Sequence, residues 1–293
     1  RDLHLSLRRQ RQMCIRDRAS WYKKLKDKRV QCLLCPRKCV IAEGQTGNCR
    51  VRKNIDGRLY SLVYARPCSI AIDPIEKKPF YHFYPGKAAL SIATSGCNLH
   101  CIYCQNWEIS QSLVLDVPEL MPEQIIDKAL REGIEIISYT YTEPTVFYEY
   151  MLDMAKLAKK YGIKNCIVSN GFINEEPLLE LTKFLDAANI DLKSIKNSFY
   201  HKLCSAWLSP VLKSIELLKE KHIWVELTNL LIPGWNDSTQ DIEKLIDWVK
   251  QLNARYEETP LHFTAYYPAY KMHEPPTLAE LSLIHISEPT RLG

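Results

Sequence analysis

Ala89-Leu90-Ser91-Ile92-Ala93-Thr94-Ser95-Gly96-Cys97-Asn98-Leu99-His100-Cys101-Ile102-Tyr103-Cys104 sets an apolar run, a turn and three cysteines end to end. The run Ala89–Thr94 has the composition of a strand covered on both faces, as strands of a parallel sheet are. Ser95-Gly96 supplies the turn. The cysteines, spaced C-x3-C-x2-C, therefore leave directly from the C-terminal end of that strand.

Outward from this stretch, similar runs recur at Glu135–Tyr141, Asn165–Ser169, Ala188–Leu192, Ile223–Leu231 and Leu261–Tyr266, which makes six strands in all. Helical patterns lie between them. Pro122 opens one, with Ile125, Ile126, Ala129 and Leu130 on one side and Gly133 at the C-cap position. Pro144 opens another, in which Phe147, Tyr150, Met151, Met154, Leu157 and Ala158 keep helical spacing up to Gly162. Asn174 and Ser238 are N-cap candidates, the latter ahead of the stripe Ile242, Leu245, Ile246 and Val249. Residues 209–220 read as a further helix, and Pro275-Pro276-Thr277 begins a last one. Strands alternating with helices predict βα units on a parallel sheet. Six units are too few to close an eight-stranded barrel. The expected fold is α/β, an open, partial (β/α)6 TIM-type barrel over 88–282, preceded by a small cysteine-bearing segment over 19–87. Functional groups in such folds gather at the C-terminal ends of the strands, where the three cysteines fall.

Composition narrows the class. The 293 residues, 46% of them hydrophobic, suffice for a barrel-sized domain with a small attachment. No apolar run is long enough to span a bilayer and no signal-peptide pattern appears, so a soluble, cytoplasmic protein without a membrane partner is expected. The formal charge of +5 does not indicate nucleic acid, because six arginines against Asp2 and Asp17 place four of those charges within residues 1–18. Met13–Arg18 and Leu283–Gly293 resemble translated sequencing-adapter sequence, so non-native tails are expected at 1–18 and 283–293, with ordinary tails as the alternative. On that reading the native chain begins near Ala19 and is cut short near Ser282. Eleven cysteines, bunched rather than spread, point to metal or redox use, not to a disulfide framework.

An iron–sulfur cube normally takes four thiolates, yet Cys68 and Cys166 are remote in sequence from Cys97, Cys101 and Cys104. Three ligands leave one iron open to chelate the amino and carboxylate groups of a substrate. A zinc site, the competing reading, usually shows paired C-x2-C or Cys/His spacing and four ligands. With an aromatic residue, Tyr103, before the third cysteine, the triplet resembles the radical S-adenosylmethionine superfamily motif. The resemblance implies a [4Fe-4S] cluster on Cys97, Cys101 and Cys104 that cleaves S-adenosylmethionine to a 5′-deoxyadenosyl radical. Further residues are assigned by the same resemblance. Tyr103 lies beside the cofactor. Thr140-Tyr141-Thr142-Glu143-Pro144 ends the second strand where the superfamily holds the methionyl amine, making Glu143 a candidate for that bond. Ser169-Asn170-Gly171 and Asn189-Ile190-Asp191-Leu192-Lys193 resemble the cofactor-contacting segments of glycyl-radical-activating enzymes, which nominates Ser169, Asn170, Asp191 and Lys193. Taken singly, Glu143 is also a helix-start glutamate, Asn170-Gly171 a turn, and Asp191 with Lys193 a solvated pair. Val168 stands where those enzymes tend to carry an aspartate, which counts against a cation site there. Asn229–Asp237 is expected to shape the adenine side.

Cys32–Cys39, Asp73–Pro79, Cys104–Trp107 and His262–Pro268 resemble the radical enzyme of the AmmeMemoRadiSam system, a relative of pyruvate formate-lyase-activating enzymes, over about 19–281. That family usually adds C-terminal cysteine pairs not found in this sequence. Cys32, Cys35, Cys39 and Cys49 are compatible with a second metal site, zinc or another iron–sulfur cluster, with free buried thiols as the alternative. Lys77, Lys78 and His82 are candidates to line the substrate approach without being catalytic, with a merely solvated lysine pair as the alternative. The implied function is an oxidoreductase fed by a reductant such as flavodoxin or ferredoxin, abstracting hydrogen from a glycine of a partner protein. Modification of another peptide, nucleic acid or metabolite competes with it. A non-catalytic iron–sulfur or zinc-binding protein has no use for Glu143, Ser169–Gly171 or Asp191.

Overall fold

The computed structural model describes residues 18–276. A seven-stranded sheet carries the fold, in the order β12-β11-β10-β9-β8-β7-β6. Its parallel strands are β7 (Ala88–Ala93), β8 (Ile136–Tyr139), β9 (Lys164–Ser169), β10 (Ala187–Asp191), β11 (Trp224–Leu231) and β12 (Leu261–Ala265). These are the six expected strands, each within two residues of its predicted ends. The sheet is open, with β12 and β6 at its edges, as an unclosed α/β barrel requires.

The seventh strand, β6 (Ser69–Pro74), pairs antiparallel with β7, from Ser69 opposite Ala93 to Pro74 opposite Ala88. Sequence reading passed over it because an edge strand needs no continuous apolar run. Ile72 is 43% exposed, and Pro74 ends the strand where a central strand would need its N–H.

Five main helices cover the sheet: α1 (Pro122–Arg131), α2 (Tyr148–Lys160), α3 (Glu175–Thr182), α4 (Ser209–Glu220) and α5 (Thr239–Asn253). In α1, Ile125, Ile126 and Ala129 are buried, but Leu130 is exposed, contrary to the predicted stripe. Pro144 opens a 3-10 turn, Pro144–Phe147, and the α-helix starts only at Tyr148. Ser238 caps α5 by accepting from Asp241 N. Asn174 precedes α3 without capping it; its Nδ2 donates instead to Leu33 O at 2.6 Å, tying the leading segment to the barrel. The helix expected from Pro275 falls largely outside the described residues, as do both predicted tails except Arg18, which bridges to Tyr60. Among the described residues, no helix is long and apolar enough to cross a membrane.

The leading segment forms a three-stranded sheet, β1 (Tyr22–Lys24), β2 (Val30–Cys32) and β3 (Val40–Ile41), and a hairpin, β4 (Arg52–Ile55) and β5 (Arg58–Ser61). Asp56-Gly57, both at positive φ, make the two-residue hairpin turn. The segment is fastened by one buried ion pair. Arg52 Nη1 meets Glu149 Oε2 of α2 at 2.8 Å, Nη2 meets Oε1 at 2.9 Å, and Ser20 N donates to Oε1 at 2.7 Å.

A second carboxylate closes the opposite end of the sheet. Glu226, near the start of β11, accepts from the backbone N–H groups of Tyr81, His82 and Phe83 and from Trp224 Nε1, and its Oε2 lies 2.8 Å from His262 Nε2. Burial alone would raise its pKa, but these donors outweigh burial and bring it from 4.5 to about 2. A depressed carboxylate stabilises the fold above its unfolded value and stops doing so as pH falls through the folded one. Acid titration should therefore remove on the order of 3 kcal/mol between about pH 4.5 and pH 2. Glu226→Gln should flatten that part of the urea-stability profile; an unchanged acid limb refutes the assignment.

Candidate active site

The cysteine loop leaves β7 through Gly96, whose φ of +100° suits glycine. A Cβ there would meet Val51 Cγ1 at 2.6 Å and Cys49 O at 3.0 Å, so the leading segment lies directly against the loop. The other side of the loop rests on the turn Tyr200–Cys204, where His100 N donates to Cys204 O and Ile102 N to Leu203 O. Cys101 is buried, and Cys97 and Cys104 are half-buried. Donors already face the sulfurs: Leu99 N is 3.4 Å and Asn170 Nδ2 3.8 Å from Cys97 Sγ, and Ser110 Oγ lies 3.2 Å from Cys104 Sγ. Burial, then the charges of Glu143, Cys101 and Cys104, pushes the Cys97 thiol well above its usual range. Three such thiols become anionic together only around a cation. The all-thiol donor set with N–H and O–H groups aimed at sulfur fits an iron–sulfur cluster.

The later strand ends converge on this loop. Glu143, 3% exposed, accepts from Thr145 N (3.0 Å), Thr145 Oγ1 (2.6 Å), Ser169 Oγ (2.8 Å) and Asn170 N (2.9 Å). Burial raises its pKa against the pull of those donors. Its carboxylate thus clasps the ends of β8 and β9 together. Asn170 in turn spans to the cysteine loop, donating from Nδ2 to Asn98 Oδ1 at 3.0 Å and accepting Phe172 N on Oδ1 at 2.9 Å. At the end of β10, Lys193 Nζ pairs with Asp191 Oδ2 at 3.1 Å and stands 6.0 Å from the centre of the Tyr103 ring. Burial opposes the Lys193 charge, but Asp191, Cys101 and Cys204 outweigh it and hold the ammonium protonated. Asn229 Nδ2 in β11 donates to Leu192 O, and Asn236 Nδ2 just after it to Lys193 O, so β11 and the turn that follows it brace the Asp191–Lys193 strand end. Val168 packs against the apolar cluster of Ile75, Phe80 and Phe83, with no carboxylate in its place.

Other expected residues lie elsewhere. His82 sits with Glu226 and His262 at the N-terminal end of the strands, away from the cysteine mouth. Lys77 and Lys78 both pair with Asp73 on the edge strand, and Lys78 is 1% exposed, not solvated. Its ammonium also lies 3.8 Å from the Tyr141 ring centre. Two contributors escaped sequence reading. Cys204 is buried 3.3 Å from the Tyr103 hydroxyl, and a hydrogen bond to Cys204, followed by burial, holds the Cys101 thiol high. Asn98 is held by Asn170 and donates to Phe172 O. Neither belongs to a spacing pattern; only the interior position of Asn98 within the triplet was a signal.

Cys32, Cys35, Cys39 and Cys49 come together at a cavity beside Arg52 and Asn98. Burial, then the neighbouring sulfurs, pushes Cys35 well up, and burial takes Cys49 to about 11.

The Radical SAM superfamily profile matches residues 91–249, which runs from within β7 into α5 and includes all three loop cysteines. The chain belongs to the radical SAM superfamily. An uncharacterized protein of Methanocaldococcus jannaschii is 48% identical over 265 residues, 89% of this chain and 78% of that protein. The pyruvate formate-lyase-activating enzyme of Staphylococcus epidermidis is 29% identical over 185 residues, 58% of this chain and 72% of the relative. A radical SAM methyltransferase structure from Sphaerobacter thermophilus shares the fold with a TM-score of 0.52 at 16% identity, covering 70% of this chain and 64% of that one. This radical SAM chain is thus related to the glycyl-radical-activating branch, and the family implies a [4Fe-4S] cluster and S-adenosylmethionine.

Proposed function

We propose that the protein cleaves S-adenosylmethionine reductively and directs the resulting radical at a hydrogen atom of a protein substrate, a glycine by analogy with the activating enzymes. The observation that carries the reading is the convergence on one cysteine loop of Asn170 from the β9 end and Lys193 from the β10 end. Cys97, Cys101 and Cys104 would hold the cluster. When bound, the cluster supplies one electron to the sulfonium, which breaks a carbon–sulfur bond to give methionine and the 5′-deoxyadenosyl radical.

The chain's own groups divide the remaining work. Lys193 offers a fixed positive charge for a carboxylate, and Asp191, 39% exposed, an acceptor for an amine or ribose hydroxyl. Ser169 and Asn170 are held by Glu143, so Glu143 acts on the cofactor largely through them. Tyr103, a buried member of the loop, lies beside Cys204 and Lys193. The reductant is of the flavodoxin or ferredoxin class. Membership of the AmmeMemoRadiSam branch is supported by the Cys32–Cys39, Asp73–Pro79, Cys104–Trp107 and His262–Pro268 stretches.

The test is anaerobic. The reconstituted protein, given dithionite and S-adenosylmethionine, should release methionine and 5′-deoxyadenosine; a fully clustered chain that releases neither refutes the proposal. Deuterium passing from a labelled glycine of a candidate partner into deoxyadenosine identifies the substrate. Glu143→Gln presents an amide N–H₂ where the carboxylate accepts, leaving buried donors unpaired at a cost of about 1–3 kcal/mol. Its cofactor binding should weaken while iron content is unchanged, as read by equilibrium binding and elemental analysis.

A further inference from the structure

Cys32 ends β2, Cys35 and Cys39 lie in the turn to β3, and Cys49 lies in the turn before β4, yet all four line one cavity. Arg52 lines it too. Its two Nη atoms are taken by Glu149 and Ser20 O, but Nε, on a residue only 2% exposed, has no partner. A buried cationic donor without an acceptor is costly and calls for an anion in the adjoining space. Free thiols would leave both the donor and the cavity unused.

Sulfur spacing separates the two metal chemistries. Zinc–sulfur bonds of about 2.3 Å in a tetrahedron place the sulfurs about 3.8 Å apart. Among the described residues, the one group of three ligand atoms lying within 4.8 Å of one another is His82, Glu226 and His262. The four cysteine sulfurs do not form such a group. A cube of iron and sulfide, which interposes more atoms between its thiolates, keeps them wider.

We infer that Cys32, Cys35, Cys39 and Cys49 ligate a [4Fe-4S] cluster and that Arg52 Nε–H donates to it. With four thiolates this cluster has no open iron, so it does not bind S-adenosylmethionine. It lies directly behind the triplet: Asn98, next to Cys97, lines the same cavity, and the Arg37 side chain donates to Asn98 O. The half-exposed Cys35 and Cys39 place its other edge toward solvent.

The test leaves these four cysteines intact and does not depend on the reading of the triplet. The full chain carrying Cys97→Ala, Cys101→Ala and Cys104→Ala, prepared anaerobically, should hold about four iron and about four acid-labile sulfide per chain and show a paramagnetic signal on reduction. Adding Cys32→Ala and Cys35→Ala should remove the rest. Zinc in place of iron, or no metal in the triple variant, overturns the proposal. In the triple background, Arg52→Lys keeps a positive charge but loses Nε–H, so iron content should hold while the reduction potential moves negative. An unmoved potential overturns the role given to Arg52.

Discussion

Cys101→Ala should release no 5′-deoxyadenosine above background and should lose the iron held by the triplet. Cys101 is the middle cysteine of the triplet and the buried one, and the remaining two sulfurs would leave too few thiolates for a cube. The fold should survive, because what holds the loop is backbone bonding to the Tyr200–Cys204 turn and the close approach at Gly96, neither of which uses the Cys101 sulfur. Thermal unfolding of the metal-free proteins serves as the control: parent and variant should melt together. A variant that keeps full triplet iron and cleavage activity would show that the loop cysteines are not the ligands.

Arg52→Leu should destabilise the chain by about 3–5 kcal/mol, the usual cost of removing one partner of a buried ion pair. Glu149 would be left 8% exposed at its side chain with its charge unmatched, its one remaining donor in this cluster being Ser20 N. The pair is also the main polar link between the leading segment and α2, so urea unfolding of the variant should lose cooperativity as that segment detaches first. Arg52→Leu with Glu149→Leu should recover most of the loss, since burying neither charge is close to neutral. If the double variant is as unstable as the single, the cost comes from packing around Arg52 and not from the stranded carboxylate.

Much of the scaffold was readable because parallel strands covered on both faces leave mostly apolar runs, of which Ala88–Ala93 and Ile136–Tyr139 are the clearest. The edge strand Ser69–Pro74 escaped because half-exposure erases that signal. At the site, covalent spacing alone brought Cys97, Cys101 and Cys104 to light, since residues on one loop are close in sequence as well as in space. Glu143, Ser169 and Asn170 could be nominated as strand-end residues, but that one carboxylate clasps the other two is a fact of the β8–β9 register. His82 was expected to line the substrate approach; the chain instead carries it to Glu226 at the N-terminal end of the strands.

By itself, then, the sequence determined the local elements, the α/β class and the thiol triplet, all of which depend on residue types within a few positions of one another. Only the tertiary structure decided which distant groups meet: Arg52 with Glu149, Asn98 with Asn170, Cys204 with Tyr103, and the four leading cysteines around one cavity. Those pairings depend on how the leading segment docks on the barrel. Docking is fixed by burial and hydrogen-bond satisfaction summed over many residues, and no short pattern in one chain records that sum.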